Sequence, residues 1–265
     1  MMASRINLDN QTAVVLHHFP YKNNSLIVHF FLPAQGKVSA IARGVRQSKK
    51  NEMSQMQPFQ ELQVSLQGKG ELLYLKGVDS VSRVWKLKGK ALYCAYYLNE
   101  LLLRLLPAHT DCRDIFYLYA ETLALIIQAP PADACLPDNK TTVTSGKKST
   151  KSPGLEIPLR YFELKLLEFL GYGLNFAVDV DTGETVQADK RYYFDINAGP
   201  SLKQHRHGLA VLSPLRGQTL LNLSRFKFDD EQTLQESKQL LKYALSSHLG
   251  PKPLKSRKMF RQLYG

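Results

Sequence analysis

The chain has 265 residues, of which 44% are hydrophobic, and its 35 Lys and Arg against 23 Asp and Glu give a formal charge of +12. This is enough for one large or two modest folded domains, each with its own core, and it excludes a chain disordered throughout. No apolar run reaches the roughly 18–20 residues of a membrane span, Met1–Asp9 holds no apolar leader, and Cys94, Cys112 and Cys135 are too few and too scattered for a disulfide framework; a cytoplasmic, nucleoid-associated protein with no membrane partner is expected.

Residues 1–84 read as β structure. Thr12–His18, Ser25–Phe31, Lys37–Ala42, Phe59–Gln67 and Leu72–Val78 are runs of β-branched, aromatic and aliphatic residues. Turn residues separate them: Pro20 with Asn23 and Asn24, Pro33 with Gly36, then Gly68 and Gly70. Ser25–Phe31 is apolar at both alternating sets of positions, which predicts a strand covered on both sides. Five short strands with one long connection, Gly44–Pro58, predict a small closed barrel of the oligonucleotide-binding (OB) type. The connection itself is polar and basic and reads as an exposed, mobile loop.

From residue 85 onward the period is helical. Tyr93, Tyr97, Leu101 and Leu105 form one stripe of a helix over Lys90–Leu106, which Pro107 ends. Asp111 precedes a second helix, Arg113–Gln128, stopped by Pro130 and Pro131. Residues 131–156 are rich in Pro, Thr, Ser, Gly and Lys and read as a flexible loop. A third helix starts at Pro158 and carries Leu159, Phe162, Leu166, Phe169 and Leu170 inward, with Gly171 as its terminator. Tyr172–Leu212 reads as irregular, with short strands at Arg191–Ile196 and Gly208–Leu212. Ser213-Pro214 opens a short helix, and Asp229-Asp230 precedes a longer one to His248. Lys255–Leu263 is a final helix. The fold class is therefore α+β: a five-stranded OB barrel over 1–84, then a mostly helical domain over 85–265.

The positive charge is clustered. Gly36–Lys50 holds Lys37, Arg43, Arg46, Lys49 and Lys50 with no acid, and Gly250–Gly265 holds Lys252, Lys255, Arg257, Lys258 and Arg261, again with none. Two acid-free clusters favour a polyanion binder over a merely solubilising surface. Lys37, Arg43, Arg46, Lys49 and Lys50 lie on the third strand and the loop leaving it, where cations for phosphates can meet rings for stacking, Tyr21, Phe30 and Phe31 being nearby. Each of those rings can equally be core. Neutralising about five phosphates of a single strand would give a log–log salt slope near −3.5.

Catalytic and metal patterns are weak. There is no Cys pair at zinc spacing, His205 and His207 flank a cation, and Asp179, Asp181, Glu184 and Asp189 match no calcium loop and read as a solvated turn. Asp181-Thr182-Gly183 lacks the second carboxylate an aspartic protease requires. No nucleophile elbow, phosphate loop or dinucleotide fingerprint occurs. No catalytic residue, cofactor or metal is expected. The alternatives are an RNA-binding OB factor and a magnesium nuclease built on Asp179, Asp181 and Glu184.

Four blocks in order resemble the recombination-mediator family RecO. They are Ala13–His17 with Pro20-Tyr21, Ser25-Leu26, Gly36–Val38 and Ala42–Arg46; Tyr97–Leu102 with Leu106-Pro107; Arg160–Glu163 through Leu170–Gly173; and Gly250–Arg257 continuing to Phe260–Gln262. The resemblance implies an OB barrel followed by a helical domain and a non-enzymatic role. It implies binding of single- and double-stranded DNA, strand annealing, and work with RecR to load RecA onto strands coated by single-stranded DNA-binding protein, whose acidic C-terminal tail is a further partner. For that tail, which ends in an aromatic residue, the candidate residues are Arg160, Phe162 and Lys165; Lys255 and Arg257 are candidates for DNA. Many relatives carry a four-cysteine zinc module after the Gly171-type turn, whereas Val178–His205 here has no cysteine. The loop Pro131–Gly154 is longer than the family resemblance leads one to expect.

Overall fold

The computed structural model describes residues 5–47, 52–129, 154–203 and 213–264. The first five strands are β1 (Arg5–Tyr21), β2 (Ser25–Leu32), β3 (Gly36–Ala42), β4 (Gln60–Lys69) and β5 (Leu72–Val84). They close into a barrel in the order β1-β2-β3-β5-β4, antiparallel except where β3 runs parallel to β5. This Greek-key closure is the OB architecture that the strand pattern predicts. β1 is longer than expected: Arg5–Leu8, whose Ile6 and Leu8 pack against the barrel core, pairs with Leu66–Lys69, and a register shift between Leu8 and Gln11 lets one strand bend along the barrel.

Alternation sorts the side chains. Ala13, Val15, Leu26, Val28, Phe30, Leu32, Val38, Ala40, Leu62, Val64 and Leu73 fill the barrel. The Gly44–Pro58 connection is more built than its composition suggests. It carries the short helix α1 (Glu52–Gln55), and Met56 just beyond it is fully buried in the barrel core, because an apolar side chain at that mouth removes its own surface from water.

Helices α2 (Gly89–Leu105) and α3 (Arg113–Gln128) follow. Gly36 fixes the link between barrel and helices. Its φ is +62°, and a Cβ there would lie 2.5 Å from the Pro107 carbonyl oxygen, so only glycine fits. Around it, Lys37 N donates to Pro107 O, His109 N to Gln35 O and Cys112 N to Pro33 O. The chain then forms α4 (Glu156–Phe169), β6 (Arg191–Asp195), β7 (Gly199–Ser201), β8 (Leu215–Arg216), α5 (Gly217–Ser224), α6 (Glu231–Leu249) and α7 (Lys255–Tyr264). The strand expected at Arg191–Ile196 is β6, and it is the middle strand of a small sheet, β7-β6-β8. Asp230 caps α6 by accepting from Thr233 N at 2.8 Å. The strand expected at Gly208–Leu212 and most of the 131–156 loop lie outside the described residues.

Two compact units result: Met1–Ile127 together with Pro251–Gly265, and Gln128–Gly250. α2, α3 and the returning α7 thus share the barrel's unit, which extends past residue 84, the end of the barrel predicted from sequence. No helix among the described residues is long and apolar enough to cross a membrane.

Candidate nucleic-acid interface

The outward side chains of the barrel meet two fates. Phe31, on β2, is fully buried because Phe116 and Tyr119 of α3 pack on it at 5.2 and 6.2 Å between ring centroids. Beside it, Asn99 donates to the Leu16 carbonyl at 2.8 Å and accepts from the Tyr119 hydroxyl at 2.6 Å. Farther along the same strands no helix of this unit covers the sheet completely. The register sets His17 opposite His29, His29 opposite Ser39 and Ser39 opposite Leu72; the next row is Phe19, Ile27, Ile41 and Tyr74. Phe19 and Tyr74 are each 39% exposed. Solvent-facing rings on a barrel of this type suit base stacking, which is sequence-tolerant because every base has a π face.

Cations border these rings. The exposed Arg43 guanidinium sits 4.3 Å from the Tyr74 ring centroid. Arg46 donates from Nη1 to the carbonyls of Lys22 and Asn23, so the loop after β3 is tied to the β1–β2 turn. The Lys22 ammonium lies 5.4 Å from the half-buried Tyr21 ring. Lys255 arrives from the other end of the sequence: α7 docks on α2, and the Lys255 charge acts on His17. Among the described residues no carboxylate forms an ion pair with Lys22, Arg43, Arg46 or Lys255.

Other predicted residues are committed elsewhere or lie out of view. Lys37 donates from Nζ to the Leu103 carbonyl at 2.8 Å, a last-turn carbonyl of α2, and partial burial lowers its pKa although the Glu71 charge opposes this. Arg257 donates to the Tyr97 hydroxyl at 2.9 Å and holds α7 to α2. Phe30 is barrel core and Phe31 is covered by α3. Lys49 and Lys50 lie outside the described residues. Sequence reading missed His17, Phe19, Lys22, His29 and Tyr74. The alternating His17, Phe19 and Tyr21 of β1 carried a signal, since the strand leaves its apolar stretch there and rings stand at every second position.

The predicted tail-binding residues separate. Phe162 is fully buried and Arg160 is only 7% exposed, its guanidinium paired at 2.7 Å with the buried Glu163. Neither presents itself as an exposed rim. Lys165, one turn on, pairs with Glu168 at 2.8 Å and sits 4.0 Å from the Phe226 ring centroid. Beside it, Leu164, Leu167, Phe176, Leu223 and Phe226 line a groove of about 290 Å³.

The sequence itself matches known proteins. A family model described as recombination protein O N terminal matches residues 6–83, and one described as recombination protein O C terminal matches residues 149–258. The chain is 36% identical over 255 residues to the DNA repair protein RecO of Nitrosococcus oceani, covering 96% of this chain and 93% of that one. It is 35% identical over 258 residues to the DNA repair protein RecO of Methylococcus capsulatus, covering 97% and 94%, and 36% identical over 262 residues to that of Dechloromonas aromatica, covering 99% of each. The chain belongs to the RecO family.

In this RecO-family chain the acidic turn around Asp179 has a structural task. Asp179 is buried, not solvated as its sequence suggested, and its carboxylate accepts from the backbone N–H groups of Asp181, Thr182 and Leu202 at 2.9, 3.1 and 3.1 Å. Burial alone would raise its pKa; the backbone donors outweigh that and hold it below the usual carboxylate range. Asp181 Oδ2 accepts from the Ser201 hydroxyl. The carboxylates therefore knit Val178–Thr185 to β7, and among the described residues no three His, Cys, Asp or Glu gather around a metal position. His205 and His207 lie outside the described residues.

Proposed function

We propose that this RecO-family chain is a non-enzymatic mediator of recombinational DNA repair at the nucleoid. It binds single- and double-stranded DNA, anneals complementary strands and, with RecR, helps load RecA onto strands coated by single-stranded DNA-binding protein. The observation that carries this reading is the barrel face on which Lys22, Arg43, Arg46 and Lys255 border the exposed rings of Phe19 and Tyr74. Annealing requires no reacting group. A cationic face lowers repulsion between two phosphate backbones and raises their local concentration, after which base pairing supplies the drive. The likeness to relatives over nearly the whole chain and their names as DNA repair proteins support the same reading.

The groove beside Lys165 offers apolar walls for the aromatic end of the coating protein's acidic tail, and the nearby Lys165 ammonium, now paired with Glu168 of the groove's lining, can turn to the tail's carboxylates. Lys165→Glu is expected to weaken tail-peptide binding while leaving naked-DNA binding unchanged.

The decisive experiment is annealing of complementary strands pre-coated with the cognate coating protein, with and without the chain. Marked acceleration is expected, and no acceleration at any protein concentration defeats the proposal. RNA and DNA oligonucleotides of one sequence are expected to compete comparably, since preference for RNA requires 2′-hydroxyl readout. Labelled DNA incubated with magnesium or manganese is expected to stay intact.

A further inference from the structure

The centre of the barrel face is neither a cation nor a plain apolar patch. His17 on β1 and His29 on β2 are direct cross-strand partners, and the Phe19 ring lies 5.6 Å from His29 and 6.4 Å from His17. His29 Nδ1 shares a hydrogen bond of 2.8 Å with Ser39 Oγ on β3, which leaves Nε2 as its second ring nitrogen. The charges that act on the pair oppose its protonation. His18 adjoins His17 on β1, Lys37 acts on His29 from β3, and Lys255 acts on His17 from α7. Of the nearby carboxylates, Glu100 of α2 is held by the Lys255 and Ser256 amides, and Glu71 acts on Lys37 only through its charge. No carboxylate among the described residues pairs with either imidazole.

We propose that His17 and His29, with Phe19 beside them, form a proton-taking subsite for one nucleotide of a single strand, the base stacking on Phe19 and the phosphate held by imidazolium N–H groups. The proposal rests on the polynucleotide-binding reading above and adds its proton stoichiometry. With the face empty, partial burial and the neighbouring positive charges favour neutral rings at neutral pH, and both pKa values lie below the usual histidine range. A docked phosphate reverses the local field. Each ring then takes a proton from solvent, turns a lone pair into a donor and gains a charge-assisted hydrogen bond. Linkage makes the effect reciprocal: if binding raises proton affinity, added protons tighten binding by the same factor. Polyanion binding through lysine and arginine alone has no such dependence near neutrality, because those groups are already charged.

The test measures oligo(dT) affinity between about pH 6 and pH 8 at fixed ionic strength, for the native chain and for the double variant His17→Gln, His29→Gln. Affinity of the native chain is expected to rise toward low pH by roughly three- to tenfold more than that of the variant. A second measurement needs no variant fold. The ring proton resonances of the two histidines are expected to titrate at higher pH with oligo(dT) bound than without it. If oligo(dT) binds while those titrations stay in place and the two pH profiles coincide, the subsite is overturned and the polynucleotide-binding face stands. If oligo(dT) fails to bind at any pH, both fall.

Discussion

Glu100 on α2 receives Ser256 at the start of α7 through two hydrogen bonds, from its backbone N–H at 2.9 Å and from its hydroxyl at 2.6 Å. The other carboxylate oxygen accepts from the Lys255 amide at 2.9 Å. A side chain from one helix thus caps the N-terminus of another that lies more than a hundred residues away in sequence. Replacing Glu100 by Ala leaves those donors without their acceptor and is expected to cost about 2–3 kcal/mol. It also loosens Lys255, so single-strand affinity is expected to fall about threefold. Thermal unfolding and oligonucleotide titration check both, and Glu100→Gln, which keeps an acceptor, is expected to lose less.

The exposed rings and the cations are separable by salt. Phe19→Ala or Tyr74→Ala removes a stacking surface, which is expected to weaken single-strand binding by about 1–3 kcal/mol per base platform while leaving the salt slope unchanged.

Arg43→Ala and Arg46→Ala act through phosphate contacts instead. With Lys22, Arg43, Arg46 and Lys255 as the contributing cations, the log–log salt slope for single strands is expected near −2.8, and each substitution is expected to flatten it by about 0.7. Affinities measured across a salt series give the slope directly; an unchanged slope in both variants removes these arginines from the interface.

Tyr119 links the helices to the barrel through Asn99 and the Leu16 carbonyl. Tyr119→Phe strands the Asn99 carbonyl oxygen in a buried position and is expected to cost about 1–3 kcal/mol in chemical denaturation. Complete burial pushes the phenol pKa well above its usual value, and the bond to Asn99 only partly opposes this. The folded state then holds that proton more tightly than the unfolded one, so stability is full below about pH 10 and falls as pH rises beyond it. The Phe variant is expected to show a shallower alkaline decline.

Asp179 gives the opposite limb. Its folded pKa is lowered, so its contribution is present above the unfolded carboxylate value of about 4 and is lost as pH falls through the folded value. Asp179→Ala removes the acceptor for three backbone donors and is expected to cost about 2–4 kcal/mol at neutral pH. Thermal unfolding from neutral pH down to about pH 3 is expected to show the native and variant curves converging.

The barrel was legible because each strand holds a run of β-branched, aromatic and aliphatic residues bounded by turn residues, although β1 and β5 run well beyond those runs. Leu26, Val28 and Phe30 point inward, and Phe31 on the opposite side found cover under α3. What the pattern did not carry was the fate of each cation. Lys37, Arg160 and Arg257 read as exposed charge, yet their nitrogens are spent on a helix carbonyl, a buried carboxylate and a phenol. Only Glu163 is a close neighbour in sequence of the cation it holds; the other two partners lie far away, where periodicity says nothing. The same holds for α7, whose docking on α2 depends on Glu100, a charge that in sequence merely interrupts an apolar run. The histidine pair was missed because cross-strand neighbours at positions 17 and 29 share no spacing rule until the hairpin register is known.

The return of Pro251–Gly265 to the barrel's unit has a consequence for synthesis. A ribosome delivers the five strands and their first two helices early, but the segment that completes this unit emerges only after Gln128–Gly250 has been made. Until then Glu100 has no helix to hold and the face lacks Lys255. A nascent chain that stops short of Pro251 would therefore carry a barrel without this clasp, and the face gains Lys255 only once α7 has been made.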